Sequence, residues 1–434
     1  MRRYGLRAAA DFTRILSFSP TCISIIRWGW GAGASTYVGP RIKHPYLMIT
    51  TGILGLSICL AAAIIPITSH ESIISAIHDF ISSILPKSPP KKCPTWIDAS
   101  SPANPLDSRL AASSGTLKTE LSISGDYSIR KVAFSRGGST IAAVAEQSSN
   151  TNSANRIYLW NAKHLKNPTL LPDTQSNNYG TSTAVDLAFS PAGNFLAASD
   201  TNGLDVWDLG SCTDSYNSAI LPSAITYIPG EAAIVTIDEG DRGEILDPNT
   251  GWSRIPKPLS GNNSTSWKYT QIAASRGGAD IATTAATGTL TQQAYIWDRE
   301  NGRRYGPISA QQQLTAVNSV DFNPNGNILA IAGIGATKLW STGRHTYTYL
   351  WSAINTTPQA EAFSPNGTTL AVGDSDGNIY LWNIYTHRVI GTIRCPIGDW
   401  QGLTFSPDGR TLAAYARRSS RIYIYHVNYQ PVRG

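Results

Sequence analysis

Charged residues are scarce in this sequence. Lys, Arg, Asp and Glu make up 15% of its 434 residues, whereas glycine and proline contribute 37 and 25 residues. Few charges and many turn-forming residues are typical of a turn-rich β protein. The length is sufficient for one large all-β domain with additional segments.

Cysteine is also scarce. The five cysteines show no CxxC or paired spacing, which excludes a disulfide framework. The HExxH motif and the Walker phosphate loop do not occur. Four histidines are scattered over the C-terminal three quarters, at His164, His345, His387 and His426. Residues 374–377 (DSDG) lack the 12-residue calcium-loop pattern and predict a turn. We therefore predict no catalytic residue, no metal site and no cofactor.

The excess of positive over negative charge is confined to the N-terminus. The net charge is +6, yet residues 1–45 alone contain seven Lys or Arg residues against one acid, Asp11. The remaining chain carries 28 basic and 28 acidic residues. A nucleic-acid-binding domain needs a basic face, so we predict no nucleic-acid partner. Residues 1–45 are interpreted as a basic cytoplasmic tail.

One long apolar run stands out at residues 46–67, which contain no charged side chain. As a helix this run would span roughly 33 Å, enough for a hydrocarbon core of about 30 Å. We predict a single transmembrane helix that acts as an uncleaved signal-anchor, because the apolar region of a cleavable signal peptide is shorter. Basic residues precede the run and none follows until Lys87, which predicts a cytoplasmic N-terminus and an extracytoplasmic C-terminal domain.

A predicted amphipathic helix follows at residues 68–85. Thr68 and Glu71 form a capping box, Pro86 ends the segment, and the isoleucines between them share one helical face. This helix is expected to lie on the membrane, to form a homodimer or to pack against the next domain. Residues 86–115 are proline-rich and predict an extended linker.

A short pattern then recurs seven times along the chain. Each copy starts with a strand that ends in an anchor residue, continues through a turn such as Pro365-Asn366-Gly367, and adds two further short strands. The anchors are Phe134, Phe189, Tyr227, Ala274, Phe322, Phe363 and Phe405, at intervals of 38 to 55 residues. Their mean of about 45 matches the roughly 40–45-residue period of a four-stranded propeller blade.

These repeats resemble the WD40 family over residues 116–427. The tryptophan in the third strand of that family is matched by Trp160, Trp207, Trp297, Trp340 and Trp382, with Leu246 and Tyr425 in the remaining copies. The family's Gly-His pair is absent from every copy, so blade cohesion is expected to depend on apolar burial. With the apolar run, the resemblance points to bacterial membrane-anchored WD40-like proteins.

The resemblance implies a seven-bladed WD40-like β-propeller at residues 116–434. The last copy runs out near Val427 with three strands, and a lone strand at residues 116–123 precedes the first copy. In this family a strand from the far end of the chain completes the last blade. Such closure removes the free sheet edges that favour aggregation.

Candidate binding residues are the aromatic side chains before the first strands, because in WD40 rings these positions gather on one face. They are Tyr127, Tyr179, Trp267, Tyr269 and Trp400. Aromatic residues are enriched at binding hot spots. Packing between blades is the alternative role for each of them.

Three functions are compatible with this organisation. The favoured one is a membrane-anchored, non-catalytic scaffold that binds a protein or peptide outside the cytoplasmic membrane. The second is a cell-envelope propeller enzyme of the lyase, lactonase or quinone-dependent type, which needs a polar cluster around the ring that the sequence does not reveal. The third is a transmembrane sensor or signalling component.

Overall fold

The computed structural model describes residues 104–147, 156–171, 186–200, 203–211, 213–218, 222–238, 242–247, 259–260, 267–287, 292–308, 316–343, 346–350, 357–395 and 397–431. The predicted segments at residues 1–45, 46–67 and 68–85 lie outside this part of the chain. Within it, no helix has the length and apolar character needed to cross a membrane.

The described residues form seven four-stranded antiparallel sheets. The strand that opens the described chain is β1 (Leu110–Ser122). Blade 1 contains β2 (Tyr127–Phe134), β3 (Thr140–Gln147), β4 (Arg156–Asn161) and β5 (Thr169–Leu170). Blade 2 contains β6 (Asp186–Phe189), β7 (Phe195–Asp200), β8 (Gly203–Asp208) and β9 (Thr213–Ser218). Blade 3 contains β10 (Pro222–Tyr227), β11 (Ile234–Asp238), β12 (Arg242–Leu246) and β13 (Leu259–Ser260).

The remaining blades continue the same meander. Blade 4 contains β14 (Trp267–Ala274), a 3-10 turn (Arg276–Gly278), β15 (Asp280–Thr287), β16 (Gln293–Asp298) and β17 (Arg304–Tyr305). Blade 5 contains β18 (Val317–Phe322), β19 (Ile328–Gly333), β20 (Ala336–Ser341) and β21 (Thr346–Leu350). Blade 6 contains β22 (Pro358–Phe363), β23 (Thr369–Asp374), β24 (Asn378–Asn383) and β25 (Arg388–Arg394). Blade 7 contains β26 (Trp400–Phe405), β27 (Thr411–Ala416), β28 (Arg421–Pro431) and, at its outer edge, β1.

The seven sheets close into a ring. The first strand of each blade contacts the first strand of the next, and β26 of blade 7 contacts β2 of blade 1. The first strands therefore form an inner ring. All seven predicted anchors lie in these strands, and the predicted all-β, seven-bladed propeller is confirmed.

The first turn of each blade depends on two sequence positions. In six blades a Ser or Asn after the anchor accepts a hydrogen bond from the N–H that starts the second strand, as Ser364 Oγ does from Thr369 N at 3.0 Å. A glycine with positive φ completes the turn in every blade, for example Gly367 at 71°. These turns and the third-to-fourth turns share one face of the ring, the turn face. The starts of the first strands lie on the opposite face, the bulge face.

The core lies between blades rather than in one central cluster. Among the third-strand positions predicted from the sequence, Trp160, Trp207, Leu246, Trp297, Trp382 and Tyr425 are buried and Trp340 is half-buried. Apolar packing therefore holds the blades together. Polar contacts are also made at this position: Trp297 Nε1 donates to Thr283 Oγ1 at 3.1 Å, and the Tyr425 hydroxyl lies 2.5 Å from Cys395 Sγ.

The ring is closed by β1. It pairs with β28 from Leu110↔Pro431 to Ser122↔Arg421, next to the chain's last described residues. The predicted closure is therefore confirmed, but β1 begins at Leu110 rather than residue 116. Residues 110–115 (LAASSG), predicted as linker, are mostly small and lack the alternation of a half-buried strand. They are strand because β28 continues to Pro431 and offers them backbone partners.

The extra length of β1 reaches blade 6. Asn366 Nδ2 donates to the carbonyl oxygens of Asp107 and Leu110 at 2.7 Å each, and Thr369 Oγ1 accepts from Ala112 N at 2.9 Å. The segment therefore joins blades 6 and 7 as well as the two ends of the domain.

Removing β1 is expected to abolish independent folding of the propeller. A chain lacking residues 1–109 should remain soluble and unfold cooperatively, whereas one lacking residues 1–124 should aggregate because β28 becomes an unpaired edge. Thermal unfolding and size-exclusion chromatography of the two truncated chains measure the difference. Equal melting and equal solubility would contradict a closing role for β1.

The interface between blades 6 and 7 is built around Trp400. Its side chain is 0% exposed and packs edge-to-face on Tyr423, with ring centroids 6.3 Å apart. A Cβ at Gly373 of blade 6 would lie 2.7 Å from the Trp400 ring, so this contact requires glycine. The small apolar second strand of blade 6 makes room for the indole.

Replacing Trp400 with alanine is expected to cost roughly 3–5 kcal/mol of folding free energy, because a buried aromatic ring is removed. Tyr385→Ala is the matched control, since Tyr385 is 67% exposed and should change stability by less than about 1 kcal/mol. Chemical denaturation of both variants gives the two values. A stability loss for Trp400→Ala no larger than that of the control would argue against this interface.

Candidate functional site

A β-bulge recurs at the start of the first strands. In six blades the register between first and second strands shifts by one residue, four residues before the anchor. The bulged residues are all polar, and together we call them the bulge rim: Arg130, Ser223, Thr270, Asn318, Gln359 and Gln401. In blade 2 the described strand starts after the equivalent position. A bulged residue is left unpaired in the ladder and its side chain is re-aimed.

Two rim residues are held by their own blade. Arg130 forms an ion pair with Glu146 on the second strand, and the two side chains remain 47% and 23% exposed. Thr270 Oγ1 lies 2.8 Å from Thr284 Oγ1 and also contacts Gln292 Nε2. Such contacts fix the direction of side chains that still reach solvent.

Other rim residues connect neighbouring blades. Asn318 Nδ2 of blade 5 donates to the carbonyl oxygen of Pro358 in blade 6 at 2.8 Å. Gln359 Nε2 of blade 6 donates to Asp399 Oδ1, just before blade 7, at 3.1 Å. Arg417 Nε lies 3.6 Å from the same oxygen. Rim side chains of blades 5 and 6 thus reach the next blade.

A charged pair lies one residue along the first strands from the rim. Lys131 Nζ of blade 1 is 3.1 Å from Asp186 Oδ1 of blade 2, and Asp186 Oδ2 accepts from Ile225 N of blade 3 at 3.2 Å. Burial alone would lower the pKa of Lys131, but Asp186, Tyr415 and Asp321 together outweigh this effect and raise that pKa. Lys131 is therefore a fixed cation.

Blades 4 to 6 are joined in the same manner. Gln271 Oε1 accepts from Val320 N of the next blade at 3.1 Å, and Asp321 Oδ2 accepts from Phe363 N at 2.9 Å. Burial raises the pKa of Asp321 to about 6, against the opposing effects of this hydrogen bond and of the Lys131 charge. Side-chain acceptors thus replace the backbone ladder that is missing between blades.

The charge state of Lys131 differs from that of a lysine nucleophile. A lysine nucleophile needs a lowered pKa, whereas that of Lys131 is raised. In the described part of the chain, no three His, Cys, Asp or Glu side chains are grouped as metal ligands. Asp374 accepts from Asp376 N and Asn378 N at 3.0 and 2.8 Å, which makes the DSDG segment a turn.

The aromatic side chains predicted to bind a partner lie deeper than the rim. Tyr127, Tyr269 and Trp400 are 8%, 3% and 0% exposed, and each belongs to an interblade core cluster. Their burial favours packing, the alternative role given above. Trp267 opens β14 but its side chain lies outside the described part, as does all of Tyr179.

Sequence reasoning missed the rim because it searched for large side chains. The available signal was the polar residue four positions before the anchor, which recurs in six copies although its identity changes.

Comparison with known proteins agrees with the fold. Residues 359–383, in blade 6, match the WD40 family described as "WD domain, G-beta repeat". The chain is 31% identical over 108 residues to transducin beta-like protein 3 of Mus musculus, which covers 24% of this chain and 14% of that protein. It is 35% identical over 81 residues to the Homo sapiens protein of the same name, a match that covers 18% of this chain and 10% of that protein.

The chain therefore spans about one seventh or less of the length of these curated relatives. The resemblance to bacterial membrane-anchored members of the family is not confirmed by these matches. The repeat match and the seven closed blades together support a WD40-type propeller.

Proposed function

We propose that this protein is a non-catalytic scaffold whose bulge rim binds a protein or peptide partner. The observation that carries the proposal is the repeated bulge, which places a polar side chain at the same position in six blades. Bulges are over-represented where a side chain must be re-aimed for function. WD40 propellers in general bind protein partners, which supports the same conclusion.

The chemistry of the rim fits a polypeptide. Ser223, Thr270, Asn318, Gln359 and Gln401 carry hydroxyl or amide groups, which both donate and accept hydrogen bonds as peptide groups do. Arg130 adds one cation, already paired with Glu146. Residues 46–434 carry equal numbers of acidic and basic residues, which disfavours a phosphate backbone as partner.

The proposal includes an anchor in the cytoplasmic membrane, with the propeller on the outer side. Its support is the uncharged run at residues 46–67 and the basic residues that precede it. This arrangement would display the scaffold to partners outside the membrane.

Reporter fusions test the orientation. An exported reporter joined after Pro105 should be active and a cytoplasmic one inactive, because the positive flank retains the N-terminus inside. Fusions after residue 45 should show the opposite pattern and serve as the control. Activity of the cytoplasmic reporter at Pro105 would refute the orientation.

Substitutions test the rim. A chain with Arg130→Ala, Gln359→Ala and Gln401→Ala should lose a partner captured by the wild-type chain from extracts of its source cells, with a binding loss of about 2 kcal/mol or more. The control carries Arg136→Ala, Glu300→Ala and Arg410→Ala, which are exposed residues of the turn face. It should retain the partner.

Thermal unfolding of both triple variants separates binding from stability. If the rim variant binds the partner as the wild type does, the rim does not take part in the interaction. Loss of the partner from the turn-face variant alone would place the interface on the opposite side of the ring.

A further inference from the structure

Glu361 is a buried carboxyl group between blades 5 and 6. It is 5% exposed, and among the described residues neither of its carboxylate oxygens meets the geometry of a hydrogen bond, although the backbone N–H of Ala332 acts on the group. Its neighbours Ala360 and Ala362 pack in the cluster shared with blade 7. Because side chains alternate along a strand, Glu361 faces blade 5, as does Phe363, which packs with Ala330 of blade 5.

Negative charge surrounds this group more closely than positive charge. Asp321 on β18 acts on Glu361 with a charge of the same sign. Strands β19 and β26, which also contact β22, contain no titratable residue. On β23, Asp374 is engaged by the backbone of its own turn.

The nearby lysines do not compensate. Lys338 on β20 pairs in register with Ile331, which packs in the cluster shared with blade 4, so Lys338 occupies the sheet face turned away from Glu361. Lys131 is paired with Asp186. Burial and the charge of Asp321 therefore raise the pKa of Glu361 well above its usual range, and the N–H of Ala332 offsets this only in part.

We propose that Glu361 is a proton-binding site that regulates the bulge rim. The folded protein holds a proton on this carboxyl group, and loss of the proton loosens the contact between blades 5 and 6. Two bonds cross that contact beside Glu361: Asn318 Nδ2 to the Pro358 carbonyl, and Phe363 N to Asp321. The rim residue Gln359 lies two positions before Glu361. The consequence at the rim rests on the proposed function; the proton site does not.

The direction of the effect follows from linkage. A carboxyl group with a raised folded-state pKa binds more protons when folded than when unfolded. Its contribution to stability is present below the unfolded-state pKa near 4.5 and declines as pH rises toward the folded-state pKa. Asp321 has the same effect: its contribution to stability declines as the pH rises from its usual pKa of 3.8 to its folded-state pKa of about 6.

Chemical denaturation of the full chain at about pH 5 and about pH 8 tests the site. One such carboxyl group lowers the folding equilibrium constant by up to about tenfold per pH unit. Between these two pH values the folding equilibrium constant of the wild type should therefore fall by at least about tenfold more than that of Glu361→Gln. This variant preserves the shape of the side chain without a titrating proton. Glu300→Gln, at an exposed turn position, should behave like wild type. Equal pH dependence of wild type and Glu361→Gln would overturn the proposal.

Infrared spectroscopy of the wild type gives an answer even if Glu361→Gln does not fold. As the pH is raised above the pKa of Asp321, the carbonyl stretch of a protonated carboxyl group should persist, and it should disappear only at higher pH. Its absence would show that Glu361 is ionised and would overturn the proposal.

Hydrogen exchange tests the consequence at the rim. At a pH at which this carbonyl stretch has disappeared, amides of β18 and β22 should exchange faster in wild type than in Glu361→Gln, and the comparison at one pH cancels the intrinsic exchange rate. Equal exchange rates in the two proteins would show that Glu361 does not regulate the rim. None of these three experiments uses a partner, so a failure of the proposed binding function would be distinguishable from a failure of the proton site.

Discussion

The structure depends on the pairing of β1 with β28. Every other blade is a continuous meander, so its four strands are brought together by local turns. Blade 7 instead takes its outer strand from a segment some 300 residues earlier in the chain, since Glu120 and Arg421 across this pair are separated by 301 positions. The contact is therefore entropically the most demanding. Once formed, it fixes both ends of the domain and allows β26 to meet β2.

Among the described residues, adjacent blades are joined by single backbone hydrogen bonds rather than by a ladder, and two kinds of side-chain contact add to them. Apolar side chains from both blades fill the space between sheets, with Trp160, Trp297 and Trp400 almost fully buried. Near the axis, Asp186, Gln271 and Asp321 accept backbone N–H groups of the next blade. The Gly-His pair of the WD40 family is absent, and these acceptors supply polar contacts between blades. Buried carboxylates used in this way carry a desolvation cost, which is visible in the raised pKa of Asp321.

Much of the fold was predictable from the sequence because blade turns have strict local requirements. The turn needs a positive φ at positions such as Gly367 and Gly409, and each repeat therefore has a glycine there that can be recognised in the sequence. The start of β1 was not predictable, because residues 110–115 become a strand only through β28. The burial of two aromatic candidates was not predictable for a related reason: Tyr127 and Trp400 precede the anchors at positions where the strand is already inside the ring. Burial depends on the neighbouring blade, which local sequence does not specify.

The bulge rim illustrates how a repeated scaffold can be specific. Turn positions vary little among the seven repeats, since backbone conformation restricts them. The bulged position has no ladder partner, so the fold requires only that its side chain be compatible with water and with the next blade. Arg, Ser, Thr, Asn and Gln all occur there. The bulge thus fixes the direction of the side chain but does not fix its chemical type. Six blades with the same bulge in this way present chemically different groups on one face of the ring.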